Sequence, residues 1–305
     1  MKASRIVFPQ RDRVEIEEFD LDNSLKPHEV LVESIYTLIC PGTELAKLRG
    51  NNVLPPYTVK YPVYVHYTGV GSIVRKGSKV KRFEEGDIVF AYSSPHASYY
   101  KADLRERLLV KIPTNLRLEF IPFARFATIA LTALRVSDGE LGDYVVVQGL
   151  GMVGNLAAQL FQIGGMEVIG MEISRGRVKK AKDSGIKIVI NPMETNVEET
   201  IKDITGGEGC MVGVEATGNP ELIKQICKLV GTGGEVILLG SPRGECKEDI
   251  TPILNYIHLW PKSITLKGAH EWRRPLFKTP YSKHSIERDV EIVFRLIERE
   301  KLVIE

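Results

Sequence analysis

The sequence predicts an α/β protein in which a β-rich first segment is followed by a doubly wound parallel sheet. Three observations carry this prediction: β-branched runs at the start, six short apolar runs alternating with helical segments after them, and a glycine-rich turn directly after the first of those six. A chain of 305 residues is long enough for two hydrophobic cores. We therefore expect two domains.

The β-rich segment is predicted from β-branched runs that Gly, Pro and Asn interrupt. These runs occupy residues 28–39, 69–77, 86–92 and 107–113. Short strands separated by turn residues are typical of an all-β barrel or sandwich.

The parallel sheet is predicted from six apolar runs that mostly alternate with amphipathic segments. One such segment, 219–234, has helical spacing and a glycine stop, and predicts a helix. Strands buried on both faces by crossover helices form a parallel, doubly wound sheet. The runs are 144–148, 167–172, 187–190, 211–215, 235–239 and 264–268.

Composition excludes several classes of partner. The 41 basic side chains nearly balance the 39 acidic ones, so nothing marks the chain for nucleic acid or a membrane surface, and a small-molecule partner is favoured. We expect no transmembrane helix, since glycines and polar residues break the apolar stretches, and we expect a cytoplasmic location, since no signal-like start is present. Four separated cysteines argue against a disulfide framework.

The glycine-rich turn has the spacing of a dinucleotide site. "YVVVQ" leads into "GLGMVG" and then a helical segment, so Gly149, Gly151 and Gly154 form G-x-G-x-x-G. The first glycine permits a tight turn, the second lets backbone approach a pyrophosphate, and the third lets helix and strand pack closely. The pyrophosphate is expected at the helix N-terminus, on the N–H groups around Met152 and Val153. This context predicts a Rossmann domain.

An acidic residue at the end of the next strand favours NAD over NADP. Glu172 can accept both ribose hydroxyls of NAD and would repel a 2′-phosphate. Arg175 could bind such a phosphate if it turned inward, or it is a solvated arginine at a helix start. Arg177, in the same "SRGR" segment, joins the predicted cofactor residues.

Two later strands end in loops at the carboxyl edge, where open α/β sheets bind ligands. "VEATG" and "LLGSP" place Thr217, Gly218 and Gly240 there, as candidate residues around the nicotinamide. The alternative for Gly218 and Gly240 is a plain turn.

The order of these parts resembles the medium-chain dehydrogenase/reductase family, the alcohol dehydrogenase superfamily. The resemblance rests on "PGTE", "GVGSIVRKGSKVKRFEEGDIV", "ALTAL" and "VQGLGMVG", and "CPGTELAKLRG" and "VHYTGVG" are most similar to the branch of bacteriochlorophyllide a dehydrogenase. It implies a GroES-like barrel over 1–118, to which 270–305 returns, a Rossmann domain over 119–269, and hydride transfer in a cleft between them. A homodimer or homotetramer is also expected.

Zinc-dependent members of this family have cysteine and histidine ligands that this chain displaces by one residue. The ligand positions fall on Pro41, Tyr67 and Thr128, whereas Cys40 and His66 each lie one place earlier. In an extended segment a shift of one residue turns a side chain to the opposite face. We therefore expect no catalytic zinc. Structural zinc is not expected either, because the region of the family's four-cysteine lobe contains no cysteine.

Without a metal, carbonyl polarisation and proton transfer need hydroxyl or imidazole donors. Tyr67 is the leading candidate, because it occupies a ligand position. Thr43 matches the hydroxyl that the family uses as a proton relay, and Thr132 matches a position that touches the nicotinamide ring. His66 and His96 are secondary donors.

Other residues have two open interpretations. Glu44 either orients the site or pairs with a base such as Lys47. Arg273 and Arg274 either meet an anionic substrate group or lie on a solvated surface. The loop 49–62 is expected to shape the substrate pocket.

The predicted reaction is hydride transfer between NAD and a secondary alcohol or ketone, with polyol or sugar-like substrates included. The alternatives are a zinc-free quinone or enone reductase that uses NADPH, and a non-catalytic NAD(H)-binding sensor. Family members continue beyond the position of 300–305 with a further strand and helix. Part of the substrate wall is therefore expected to be absent, either because the sequence is a fragment or because the protein is naturally short.

Overall fold

The computed structural model describes residues 1–50, 59–243 and 246–304. Backbone contacts divide the chain into two compact units. The first unit comprises Met1–Arg125 and Pro275–Glu298, and the second comprises Phe126–Arg274 and the tail from Arg299. The predicted boundaries after residues 118 and 269 lie a few residues before these breaks. Most of the predicted loop 49–62 lies outside the described residues.

The elements follow one another in a mostly β half and an alternating half. They are β1 (Lys2–Phe8), β2 (Glu15–Asp20), β3 (Glu29–Leu38), α1 (Pro41–Leu48), β4 (Val63–Tyr64), β5 (Thr68–Lys76), β6 (Ile88–Ala91), β7 (Tyr99–Asp103), β8 (Leu109–Lys111), α2 (Ala124–Val136), β9 (Tyr144–Gln148), α3 (Met152–Ile163), β10 (Glu167–Met171), α4 (Arg175–Asp183), β11 (Ile188–Ile190), α5 (Val197–Ile204), β12 (Cys210–Glu215), α6 (Ile223–Leu229), β13 (Val230–Leu238), α7 (Thr251–His258), β14 (Thr265–Gly268) and α8 (Ile286–Glu298). Short 3₁₀ turns cover Ile121–Phe123, Pro220–Leu222 and Glu271–Arg273.

The described residues of the first unit form two antiparallel sheets. One has the order β2-β1-β4 and the other the order β7-β3-β5-β6-β8. Alternate residues of the larger sheet, among them Val30, Val32, Ile73 and Val89, point into a core closed by Phe83. This period of two is what buries one face of an antiparallel strand.

The second unit contains the six-stranded parallel sheet that the sequence predicts. Its order is β11-β10-β9-β12-β13-β14, and every neighbouring pair is parallel. Counted from β9 as the first strand, this is the doubly wound order 3-2-1-4-5-6. The strand order reverses between β9 and β12, so ligands are expected at the carboxyl ends of those two strands. The predicted fold class is confirmed.

One predicted helix is shorter than expected. The segment 219–234 forms a 3₁₀ turn and α6, but strand β13 begins at Val230 instead of a glycine stop. Gly231 and Gly234 lie in this strand. A Cβ on Gly231 would lie 2.4 Å from the Glu208 oxygen, and a Cβ on Gly234 would lie 2.6 Å from a methyl group of Val230. Close packing, not helix termination, requires these glycines. No helix in the described ranges has the length and apolarity needed to cross a bilayer.

Candidate cofactor and catalytic sites

The glycine-rich turn between β9 and α3 is built as the motif predicts. Gly149 has a φ of 89°, in the left-handed region that favours glycine. A Cβ on Gly154 would lie 1.9 Å from the Gly149 oxygen, so only glycine allows this approach of helix to strand. A Cβ on Gly151 would meet nothing within 4 Å. The turn is therefore packed tightly at Gly154 and has free space beside Gly151.

The start of α3 fits an anionic group at this opening. Gly151 is the N-cap, and α3 runs for 12 residues from Met152. The N–H of Asn155 bonds the Gly151 oxygen, so the helical bonding pattern begins there and the preceding N–H groups, including those of Val153 and Gly154, lie in the first turn. First-turn N–H groups and the helix dipole stabilise a phosphate.

Glu172 lies at the carboxyl end of β10 and is held by the turn itself. Its two carboxylate oxygens accept the N–H of Leu150 at 3.0 Å and the N–H of Ser174 at 2.9 Å. Only 5% of the residue is exposed. A buried carboxylate needs such donors, and each oxygen keeps a lone pair for a hydroxyl. Glu172 therefore fits the ribose position.

The two arginines of "SRGR" point to different carboxylates. Arg175 bonds Glu194 at 3.3 Å and is 90% exposed, which agrees with the solvated alternative. Arg177 lies 3.8 Å from a Glu172 oxygen and is 61% exposed. Of the two, Arg177 is the arginine beside the candidate ribose position.

The carboxyl end of β12 carries a second buried carboxylate that the sequence analysis missed. One oxygen of Glu215 accepts the N–H and the hydroxyl of Thr217, and the other accepts the N–H of Gly218 at 3.0 Å. Gly218 has a φ of 71°, and a Cβ on Gly240 would lie 2.4 Å from the Gly218 nitrogen. Both glycines are therefore required by a close approach of two loops. The acidic residue in "VEATG" was the available signal.

Thr132 is buried in α2 and bonded within the second unit. Its hydroxyl donates to the Thr128 oxygen at 3.1 Å and accepts a bond from the Arg274 guanidinium. Arg273 donates to the Gly268 oxygen at 2.6 Å. The prediction that both arginines lie on a solvated surface is wrong for Arg274, because Arg274 is partly buried and donates a hydrogen bond to the Thr132 hydroxyl.

The "CPGTE" segment is the start of a helix, so the expectation of an extended segment at Cys40 was wrong. Cys40 is the N-cap of α1 and Pro41 takes the first helical position, where a missing N–H has no cost. The Cys40 thiol accepts the N–H of Thr43 at 3.4 Å. In return, Glu44 accepts the N–H of Cys40 at 2.7 Å. Such reciprocal caps satisfy donors that a helix start leaves open.

Glu44 pairs with a histidine, not with Lys47. Its other oxygen lies 2.8 Å from Nε2 of His96, and both side chains are 2% exposed. His96 therefore does not offer Nε2 to a substrate.

His66 and Tyr67 alternate as expected for an extended segment. His66 reaches solvent, although protein surrounds part of its ring, whereas Tyr67 is 5% exposed. The Arg125 guanidinium lies 4.1 Å from the Tyr67 ring centroid and donates to the Tyr67 oxygen at 2.6 Å. Desolvation by the surrounding protein lowers the pKa of His66 below 6.5, and the charge of Lys47 adds to this effect.

The donors at the implied ligand positions do not fit a catalytic zinc. Pro41 has no side-chain donor, Tyr67 and Thr128 offer hydroxyls, the Cys40 thiol caps α1, and His66 lies on the face opposite Tyr67. The described part of the chain contains no group of three or more His, Cys, Asp or Glu that could hold a metal ion. Zinc sites in proteins use Cys, His and carboxylate ligands in a preformed geometry.

Replacing Gly154 by alanine should destabilise the second unit by about 1–3 kcal/mol, because the new methyl group would overlap the Gly149 oxygen. Urea unfolding of Gly154→Ala measures this loss. Gly151→Ala is the matched control, since its Cβ enters open space. Equal losses for the two variants would contradict the geometry.

The free energy of unfolding should decrease as the pH falls below 6.5, in part because of His66. The folded state resists protonation of this ring, so the unfolded state binds more protons there and stability is lost toward acid. His66→Asn should flatten this dependence between about pH 7.5 and about pH 5.5. The same substitution at the exposed His258 is the control, and equal flattening there would refute the assignment.

Comparisons with known proteins agree with this fold. Residues 152–281 match the family described as zinc-binding dehydrogenase. An alcohol dehydrogenase of Geobacillus stearothermophilus is 28% identical over 276 residues, which cover 80% of this chain and 78% of the relative. An Escherichia coli oxidoreductase/dehydrogenase of unknown specificity has the same fold, with a TM-score of 0.82, 18% identity, and coverage of 100% of this chain and 90% of the other.

A second structural neighbour was solved with a nucleotide. It is a Sinorhizobium meliloti protein of the zinc-binding dehydrogenase type bound to NADP, with a TM-score of 0.78, 19% identity, and the same coverage of 100% and 90%. The chain is thus similar to zinc-binding-type dehydrogenases over residues 152–281, and to an alcohol dehydrogenase over most of its length.

Proposed function

We propose that this protein is an NAD-dependent oxidoreductase that transfers a hydride between nicotinamide and a secondary alcohol or ketone. The observation that carries the proposal is the buried Glu172 carboxylate, bonded to the glycine-rich turn beside the open space at Gly151. The dehydrogenase relatives support the reaction class. Assignment to the branch of bacteriochlorophyllide a dehydrogenase, a homo-oligomeric state and a cytoplasmic location stay predictions.

The second unit would hold the cofactor. A bound nicotinamide cofactor supplies the hydride donor or acceptor. The pyrophosphate would lie on the N-terminus of α3, from Gly151 to Gly154, and Glu172 would accept the ribose hydroxyls. Thr132, Thr217, Gly218 and Gly240 would contact the nicotinamide half.

The first unit would supply the proton chemistry. Thr43, in the first turn of α1, is half-buried, and its hydroxyl would pass a proton between substrate and solvent or cofactor ribose. Tyr67 would donate a hydrogen bond to the carbonyl oxygen of the substrate and protonate the developing alkoxide. The poor fit of Cys40 and His66 to zinc supports this hydroxyl-based scheme.

A second candidate is a zinc-free quinone or enone reductase that uses NADPH. The observation that favours it is Arg177, whose guanidinium lies 3.8 Å from Glu172 and is exposed enough to meet a 2′-phosphate. The NADP in the Sinorhizobium meliloti neighbour is consistent with it. Alcohol oxidation with NAD and enone reduction with NADPH distinguish the two reactions. Tight NAD(H) binding without turnover of either kind would favour a sensor.

Glu172→Gln should weaken NAD binding about 10- to 100-fold, since hydrogen bonds to a charged acceptor contribute about 1.5–3 kcal/mol. It should also reduce the preference for NAD over NADP. Calorimetric titration with both nucleotides measures these changes. Glu194→Gln, an exposed carboxylate in the same unit, is the control. Unchanged NAD affinity in Glu172→Gln would contradict the assignment of the ribose position.

Tyr67→Phe should lower kcat by about 10² because a positioned acid is lost, while NAD binding survives. Thr43→Ala should act in the same direction. Steady-state kinetics beside NAD titration separates turnover from binding. Tyr64→Phe is the control, since Tyr64 is 48% exposed in the same unit. Full turnover in Tyr67→Phe would remove this residue from the mechanism.

A further inference from the structure

The Glu44 carboxylate joins the start of α1 to a different part of the first unit. One oxygen accepts the backbone N–H of Cys40 at 2.7 Å, and the other lies 2.8 Å from Nε2 of His96. His96 follows β6 by five positions and is 52 residues from Glu44 in sequence. Both side chains are almost completely buried. We call this contact the Glu44–His96 clamp.

The hydrogen bond of the clamp has a defined direction. Within the described ranges, Nδ1 of His96 is buried and has no hydrogen-bond partner. An unpaired buried N–H costs more than an unpaired lone pair on a ring nitrogen. Nε2 therefore carries a hydrogen and donates it to the Glu44 carboxylate.

The backbone around His96 is anchored beside Tyr67. The His96 N–H donates to the Val65 oxygen at 3.2 Å, and the Ile6 N–H donates to the His96 oxygen at 2.9 Å. Two residues earlier in the same loop, the Ser94 oxygen accepts the N–H of Tyr67 at 2.9 Å. The loop that carries His96 is thus connected by main-chain hydrogen bonds to the segment between β4 and β5 that carries Tyr67.

On the other side, the clamp fixes the first turn of α1. Thr43 lies between Cys40 and Glu44, and its own N–H bonds the Cys40 thiol. A thiol is a weak acceptor, so the cap at Cys40 alone holds this turn weakly. The Glu44 bond to the Cys40 N–H is short and charge-assisted, and His96 keeps the Glu44 carboxylate in place.

We propose that His96 is a positioning residue that, through Glu44, holds the Thr43 hydroxyl in a fixed place relative to Tyr67. This role rests on the proposed function of those two hydroxyls. His96 itself does not touch substrate or cofactor in this scheme. Its effect on the reaction comes from geometry, because catalytic groups displaced by about 1 Å can lose up to about 10² in rate.

The test compares His96→Leu with His96→Gln. The glutamine amide can replace the Nε2–H donor to Glu44, whereas leucine fills similar volume without a donor. His96→Leu should lower kcat about 10- to 100-fold with unchanged NAD affinity, and His96→Gln should recover most of it. A purely structural role would lower stability in both variants without this donor-dependent difference in kcat.

Hydrogen exchange of the amides from Cys40 to Glu44 gives a second readout that needs no turnover. Exchange should be faster in His96→Leu and close to wild type in His96→Gln. Equal kcat in the leucine variant and wild type, equal kcat in both variants, or unchanged exchange in His96→Leu would each overturn the proposal.

Different results would refute the proposed function. Absence of NAD-dependent turnover in the wild-type protein, or full turnover in Thr43→Ala, would refute the chemistry assigned to the hydroxyls and with it the catalytic meaning of the clamp. The exchange comparison would then still decide whether His96 holds the start of α1.

Discussion

A buried carboxylate must be surrounded by hydrogen-bond donors, and this requirement organises both candidate sites of the protein. Glu172 and Glu215 stand at the carboxyl ends of β10 and β12 and take backbone N–H groups from the turns beside them. Glu44 takes a backbone N–H from the start of α1 and an imidazole N–H from His96. An unpaired buried charge costs several kcal/mol, so each carboxylate fixes the turn that satisfies it.

This constraint also shapes the candidate cofactor site. Glu172 holds the N–H of Leu150, inside the glycine-rich turn, and so connects the candidate ribose position to the candidate pyrophosphate position. Gly154 closes the same turn against α3. A ligand that meets preformed groups loses less binding free energy to ordering them.

Much of this arrangement could be predicted from the sequence, because its signals are local. The strand "YVVVQ", the three glycines and Glu172 are fixed by spacing along one chain segment, and the parallel sheet follows from the alternation of apolar runs and helices. The strands β1 and β2 were not predicted, because charged residues interrupt their apolar positions.

The contacts that the sequence did not predict join residues that are far apart along the chain. Nothing in the spacing pairs Glu44 with His96, and nothing marks Arg125 as the guanidinium over the Tyr67 ring. The helix at "PGTELAKL" was missed because Pro and Gly commonly end regular structure, whereas here Pro41 stands at the one helical position that tolerates it.

We propose that this protein performs hydride chemistry with hydroxyl groups, without the zinc for which the matched family is named. The most direct test is elemental analysis of the purified protein by mass spectrometry, beside its NAD-dependent turnover before and after treatment with a chelator. The account predicts no stoichiometric zinc and turnover that survives chelation. One zinc per chain, with turnover lost on its removal and restored on its return, would contradict it.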